Sequence, residues 1–163
     1  MASVLIALGG NVGDVRATFG KAIAHICGMA QGALIARSSD YATPPWGDED
    51  QDPFINASIE IETGLDPHAL LFVLQKVEQK FGRIRDKARR WGPRTLDLDM
   101  IAYDDVSLQK PDLTLPHPHL FERAFVLVPL AEIAPDRVIS GIRVRDGLAS
   151  VSTQGIERLP DTG

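Results

Sequence analysis

The chain has 163 residues, 44% hydrophobic and 24% charged, the make-up of one soluble globular domain. Its net charge of −5 and isoelectric point near 5.3 exclude a broadly basic surface for nucleic acid, so an anionic ligand needs a local cationic cluster. Cys27 is the only cysteine, which excludes an internal disulfide, argues against a cysteine zinc site and fits a cytoplasmic protein.

The opening MASVLIALGG has no basic n-region, and its apolar run is too short for a signal peptide. No other stretch is long and apolar enough to span a membrane. Residues 3–8 instead read as a buried first strand ending in a glycine-rich turn, 9–14. That turn matches neither G-x-x-x-x-G-K-[ST] nor G-x-G-x-x-G, so it is a tight strand-to-helix turn rather than a phosphate loop. Asp14 caps the helix behind it, where Val15, Phe19, Ala22, Ile23 and Ile26 recur at helical spacing. Cys27, near the helix end, is a small packing residue with no base beside it.

A second strand is expected over 33–41. The loop after it, 42–53, holds three prolines and the acidic run Asp48-Glu49-Asp50, a length and composition that suit a working loop. Residues 54–63 alternate cleanly as a strand, with Ile55, Ala57, Ile59 and Ile61 on one face and Phe54, Asn56, Ser58 and Glu60 on the other. Phe54 and Asn56 set a flat ring beside an amide that both donates and accepts, a pair suited to a planar heterocycle. Asp66 and Pro67 then start a helix that Gly82 closes, with Leu70, Leu74, Val77 and Phe81 as its core stripe and Glu78 on the flank.

Residues 83–105 organise the rest. Their first half carries Arg83, Arg85, Lys87, Arg89, Arg90 and Arg94 in a chain that is otherwise acidic. In the strand that follows, 95–103, Leu96, Leu98 and Met100 share one face and Asp97 and Asp99 the other. Two carboxylates so placed, with Cα atoms about 7 Å apart, repel each other unless a cation lies between them. Carboxylate oxygens are the ligands magnesium prefers. A basic loop running into a metal-binding strand points to a polyphosphate site.

The segment 113–119 contains His117-x-His119, but flanking prolines make it irregular, and one imidazole touching a ligand is favoured over a zinc site. A helix is expected over 120–133, containing Arg123 and Phe125, and a frayed polar tail at the end. The order strand, helix, strand, strand, helix, strand predicts an α+β fold. It would be a two-layer, ferredoxin-like sandwich of a mostly antiparallel sheet with helices on one face, the other face left open for Phe54, Asn56, Asp97 and Asp99.

Residues 90–101, RWGPRTLDLDMI, closely resemble the signature of the 6-hydroxymethyl-7,8-dihydropterin pyrophosphokinase family. ALGGN at 7–11, YATPPWG at 41–47, FINA at 54–57, VEQKFGRIR at 77–85, LPHP at 115–118 and ERAFVLVPLAEIAP at 122–135 match in the same order. The resemblance implies diphosphate transfer from ATP to the pterin hydroxymethyl group, releasing AMP. Length and cysteine usage add the expectation of a single domain over 1–163 acting in the cytoplasm on small molecules, with a monomer as the default. It implies two magnesium ions on Asp97 and Asp99, and catalytic phosphate contacts from Arg83 and Arg94. Arg85, Trp91, Glu78, His117 and Arg123 would bind ATP. Thr43, Phe54, Asn56 and Phe125 would bind the pterin, stacked between the two rings. Phe54 stands where many relatives carry tyrosine, and Pro118 where a tyrosine is common. A metal-dependent phosphodiesterase or a non-catalytic nucleotide-binding module is the alternative. The first would more often bring extra acidic ligands and a basic surface; the second has no use for paired carboxylates beside six cations.

Overall fold

The computed structural model describes residues 1–44, 52–82 and 95–161. Strand β1 (Ala2–Gly10) leads into α1 (Val15–Met29), then β2 (Ala33–Arg37), β3 (Tyr41–Thr43), β4 (Phe54–Thr63), α2 (Pro67–Lys80) and β5 (Asp97–Tyr103). A hairpin of β6 (Leu108–Lys110) and β7 (Leu113–Leu115) follows, with a single 3-10 turn, Leu120–Glu122, and α3 (Ala124–Ile133). The chain continues through β8 (Val138–Ile139), β9 (Ile142–Arg143), α4 (Val144–Ala149) and β10 (Glu157–Arg158). The main sheet is antiparallel, in the order β10-β3-β4-β1-β5, with β2 also paired to β4.

Both long helices begin where carboxylates can cap them. The Asp14 side chain accepts from the Ala17 N–H at 3.1 Å, and Asp66 from Ala69 at 2.8 Å. Each helix lays its apolar stripe on the first sheet face. Val15, Phe19, Ile26, Leu70, Leu74 and Val77 close over Val4, Ile6, Leu8, Ile59, Ile61, Leu98 and Met100 in the larger core. Burying such a side chain contributes about 1.5–3 kcal/mol, so alternation along β1, β4 and β5 fixes which face is inward. Cys27 packs at the edge of this core, where burial pushes its thiol pKa up and keeps it protonated.

The second face is not bare. Here α3 brings Val126, Leu127 and Leu130, and α4 Val144, onto Leu5, Ala7, Ile101 and Ala102. A bulge opposite Leu5 and Ile6 turns Ala102 to the same side as Ile101, breaking the alternation that Asp97 to Ile101 keep. These apolar residues on α3 need a partner surface, and the Leu5–Ala7 half of the sheet supplies it.

Besides the face expected to lie open, which α3 and α4 partly cover, three expectations change. The strand expected over 33–41 is two strands, because Arg37 pairs with Ile59 but Tyr41 with Asn56, which leaves one extra residue on this side. The intervening Asp40 is drawn out by ion pairs to Arg16 (2.9 Å) and Arg37 (3.0 Å). The helix expected over 120–133 breaks at Arg123, whose backbone is extended (φ −114°, ψ 95°). As far as Pro160 the tail is not frayed: β10 pairs with β3, the Leu159 N–H donates to the Asp40 carbonyl at 2.8 Å, and Arg16 bonds the Pro160 carbonyl. Among the described residues no helix is long and apolar enough to cross a membrane.

Candidate active site

On the second face, strand register lines up two rows across the sheet. Tyr41, Asn56, Gly9 and Asp97 form one, and Ser58, Ala7 and Asp99 the other. Residues directly opposed in antiparallel strands share a face, so Asn56 and Asp97 look the same way with only glycine between them. Two strand spacings separate them, roughly 10 Å. Gly9 has no room for more: an added Cβ would lie 2.9 Å from the Asn56 amide nitrogen. At Gly10 a Cβ would lie 2.6 Å from the Thr95 carbonyl oxygen, so this glycine lets β1 pass close to the entry of β5.

Thr43 and Asn56 are both buried, and the Thr43 hydroxyl donates to Asn56 Oδ1 at 2.9 Å. That bond orients the amide and directs its Nδ2 donor toward Gly9. Phe54 pairs with Thr43 across β3 and β4, half-buried at the end of the same face. Asn11, just past β1, donates to the Asp52 carbonyl at 3.0 Å and so ties the approach to β4 to the end of β1.

Asp97 is half-buried and Asp99 exposed, while Leu96, Leu98 and Met100 are buried beneath them. Glu78, buried in the last turn of α2, accepts from the Leu98 N–H at 2.9 Å. It therefore satisfies an outward backbone donor of edge strand β5, at the residue between the two aspartates. The resemblance implied an ATP contact for Glu78, and this backbone bond gives it a structural partner as well. Asp97 and Asp99 share the second face at the start of β5, and two neighbouring carboxylates favour a cation between them. Hard oxygen donors opposed by only Gly9 and Ala7 fit magnesium, which is commonly held by one or two carboxylates plus substrate phosphates. Among the described residues no group of three or more His, Cys, Asp or Glu is gathered for a metal.

His117 follows β7, and its N–H donates to the Ile101 carbonyl at 2.8 Å, docking the segment against β5. Its Nδ1 accepts from the His119 N–H at 3.1 Å, so the proton of the neutral ring sits on Nε2. His119 turns its own Nδ1 to Glu122 at 2.7 Å, so the two imidazoles do not converge as a chelating pair. Burial, then the positive charge of Arg123 and then His119, push the His117 pKa down to about 4. The ring in the unfolded chain takes its proton near the ordinary 6.5, so between these values the unfolded state binds more protons. Stability is thus lost as pH falls from 6.5 toward 4. Urea unfolding of the wild type and of His117→Gln is expected to diverge across that window, with the variant less pH-dependent.

Arg123 occupies the break before α3, its guanidinium carbon 5.8 Å from the centre of the Phe125 ring. Phe125, in the first turn of α3, packs with the second-face core and so lies on the same side of the sheet as Phe54 and Asn56. Of the residues singled out from sequence, the structure brings Thr43, Phe54, Asn56, Asp97, Asp99 and Phe125 to one sheet face, with Glu78, His117 and Arg123 at its margins. Arg83, Arg85, Lys87, Arg89, Arg90, Trp91 and Arg94 lie outside the described residues. Sequence reasoning passed over Gly9, whose small size between Asn56 and Asp97 was legible only once register paired the strands.

A family model described as 7,8-dihydro-6-hydroxymethylpterin-pyrophosphokinase matches residues 5–135. The 2-amino-4-hydroxy-6-hydroxymethyldihydropteridine pyrophosphokinase of Methylorubrum extorquens is 49% identical over 98% of this chain and 99% of its own. The enzyme of that name from Pseudomonas aeruginosa is 42% identical over 96% of both. Among solved structures, an HPPK-DHPS in complex with substrates aligns with a TM-score of 0.70 over 91% of this chain. The Plasmodium falciparum HPPK-DHPS wild type with SDX-DHP aligns at 0.68 over the same share. Both are 15% identical and the chain spans 43% of either, so they bear on the fold alone.

Proposed function

The chain belongs to the 7,8-dihydro-6-hydroxymethylpterin-pyrophosphokinase family, and on that footing we propose how its residues divide the reaction. The activity is that of an ATP-dependent diphosphotransferase, moving diphosphate from ATP to hydroxymethyldihydropterin in folate biosynthesis. The pterin hydroxyl oxygen forms a bond to the β-phosphorus, the bond from that phosphorus to the α-phosphate oxygen breaks, and AMP leaves as the hydroxyl proton is lost.

The observation that carries the reading is the row Asn56, Gly9, Asp97. It supports a pterin at the Asn56 end and phosphates at the Asp97 end, about 10 Å away across two strand spacings. On this reading the pterin stacks between Phe54 and Phe125, with Asn56 reading its polar edge beside Thr43. Asp97 and Asp99 would hold two magnesium ions, which supply charge stabilisation on the phosphate oxygens when bound. Arg83 and Arg94 stabilise developing phosphate charge, a task that fork-shaped guanidinium groups suit. Arg85, Trp91, Glu78, His117 and Arg123 line the ATP side, His117 offering its Nε2–H to an acceptor. No nucleophilic side chain is required, because phosphoryl transfer rests on positioning and electrostatics.

The strand order β5-β1-β4 with β2 and β3 beyond, and α1 and α2 on one face, supports a two-layer ferredoxin-like core to which α3 and α4 are added. Both cores share one sheet, which supports a single domain over 1–163. The acidic net charge supports work on small molecules without nucleic acid, and the single cysteine fits a cytoplasmic setting, with a monomer as the default state.

Phe125→Ala tests the pterin side. Losing a stacked, half-buried ring is expected to raise the KM for the pterin about thirtyfold and to leave the KM for ATP within about twofold. Equal rises in both would contradict the placement.

A further inference from the structure

Val126, Leu127 and Leu130 seat α3 on the sheet through apolar contacts, which are non-directional and by themselves set no azimuth. Directional contacts lie at the C-terminal end of the helix. The Tyr41 hydroxyl donates to Glu132 Oε1 at 2.6 Å, and the Ser39 N–H and hydroxyl donate to Oε2 at 2.9 and 3.3 Å. Arg158, on β10, in turn donates to the Ser39 hydroxyl oxygen at 2.9 Å.

Tyr41 is itself buried, and strand register sets it directly opposite Asn56 on the same face. Burial and the Glu132 carboxylate push its pKa up to about 12, so the hydroxyl is always available as a donor. Glu132 follows Phe125 by seven residues, two turns of helix, and so projects from nearly the same side of α3. Fixing the azimuth of one therefore fixes that of the other.

We propose that Glu132, gripped by Tyr41 and Ser39, is a positioning residue that sets Phe125 of α3 against Phe54 and Asn56 of the sheet, and thereby sets affinity for the planar substrate. The inference rests on the proposed role of Phe125 in stacking the pterin. Neither Glu132 nor Tyr41 touches the substrate on this account. Their loss therefore acts on the KM for the pterin and spares both kcat and the KM for ATP.

The test is steady-state kinetics, with each substrate varied in turn, on Tyr41→Phe, Glu132→Ala, Glu132→Gln and, as reference, Phe125→Ala. Tyr41→Phe removes one hydrogen bond to a charged group without changing ring volume, so the fold is retained if the larger change disturbs it. It is expected to raise the pterin KM about fivefold. Glu132→Ala should raise it at least as much, and Glu132→Gln should recover part of the loss, since its amide oxygen still accepts from Tyr41. In each, kcat and the ATP KM stay within about twofold. An unchanged pterin KM in Tyr41→Phe, beside a raised one in Phe125→Ala, would overturn the inference and leave the stacking role standing. If Phe125→Ala itself leaves the pterin KM unchanged, the stacking role fails and this inference with it. Loss of kcat, or equal rises for both substrates, would mean that the contact serves the fold at large.

Discussion

Replacing either Asp97 or Asp99 by alanine is expected to lower diphosphate transfer at least a thousandfold, roughly the upper end of what losing one transition-state charge contact costs. The chain should remain folded. Strand β5 is seated by Leu96, Leu98 and Met100 on the larger core and by its ladder with β1, none of which involves the carboxylates. Asp99 is exposed and Asp97 half-buried, so each substitution should change stability by no more than about 0.5 kcal/mol. Removing one of two neighbouring like charges relieves repulsion besides. Activity and stability are therefore predicted to separate: near-zero turnover with an unchanged urea midpoint. Retained turnover in both variants would refute the metal assignment, and parallel loss of stability would make the aspartates structural.

Arg94→Ala is expected to cost about a thousandfold in turnover while changing the dissociation constant for ATP less than tenfold. The expectation follows from the proposed role, in which the guanidinium meets charge that develops during transfer rather than charge already on ATP. A contact of that kind lowers kcat and kcat/KM together. Arg94→Lys should recover little, because an ammonium cannot offer two parallel donors. Titration calorimetry with magnesium and ATP, set beside turnover, decides it. If binding weakens as much as turnover falls, Arg94 holds the ground state only.

Much of the scaffold was legible because local signals agreed with the final packing. Alternation gave both faces of 54–63, and β4 runs from Phe54 to Thr63 with Ala57, Ile59 and Ile61 in the larger core. Capping chemistry gave both helix starts, and Asp14 and Asp66 make the expected bonds. The same alternation put Asp97 and Asp99 on one face of a strand, which register then brought beside Gly9 and Ala7.

The rest depends on long-range contacts that no local pattern encodes. The extra residue between β2 and β3 is held by Ser38, whose N–H donates to the Ser58 carbonyl while its hydroxyl oxygen accepts from the Ser58 N–H. The tail becomes a strand only because β3 presents a free edge and Arg16 a donor from α1. Periodicity across 120–133 hid the break at Arg123, since apolar residues on both sides of it face the same core. At the site, the backbone bond of Glu78 joins residues twenty apart in sequence and left no local trace. The basic segment that first suggested a polyphosphate site, Arg83 to Arg94, lies outside the described residues, so its part rests on sequence.

The most direct test incubates the protein with ATP, magnesium and 6-hydroxymethyl-7,8-dihydropterin, and separates the nucleotide products. AMP formed only when the pterin is present, in equal amount to the pterin diphosphate, is the predicted result. ADP as the product, or AMP released without the pterin, would contradict it.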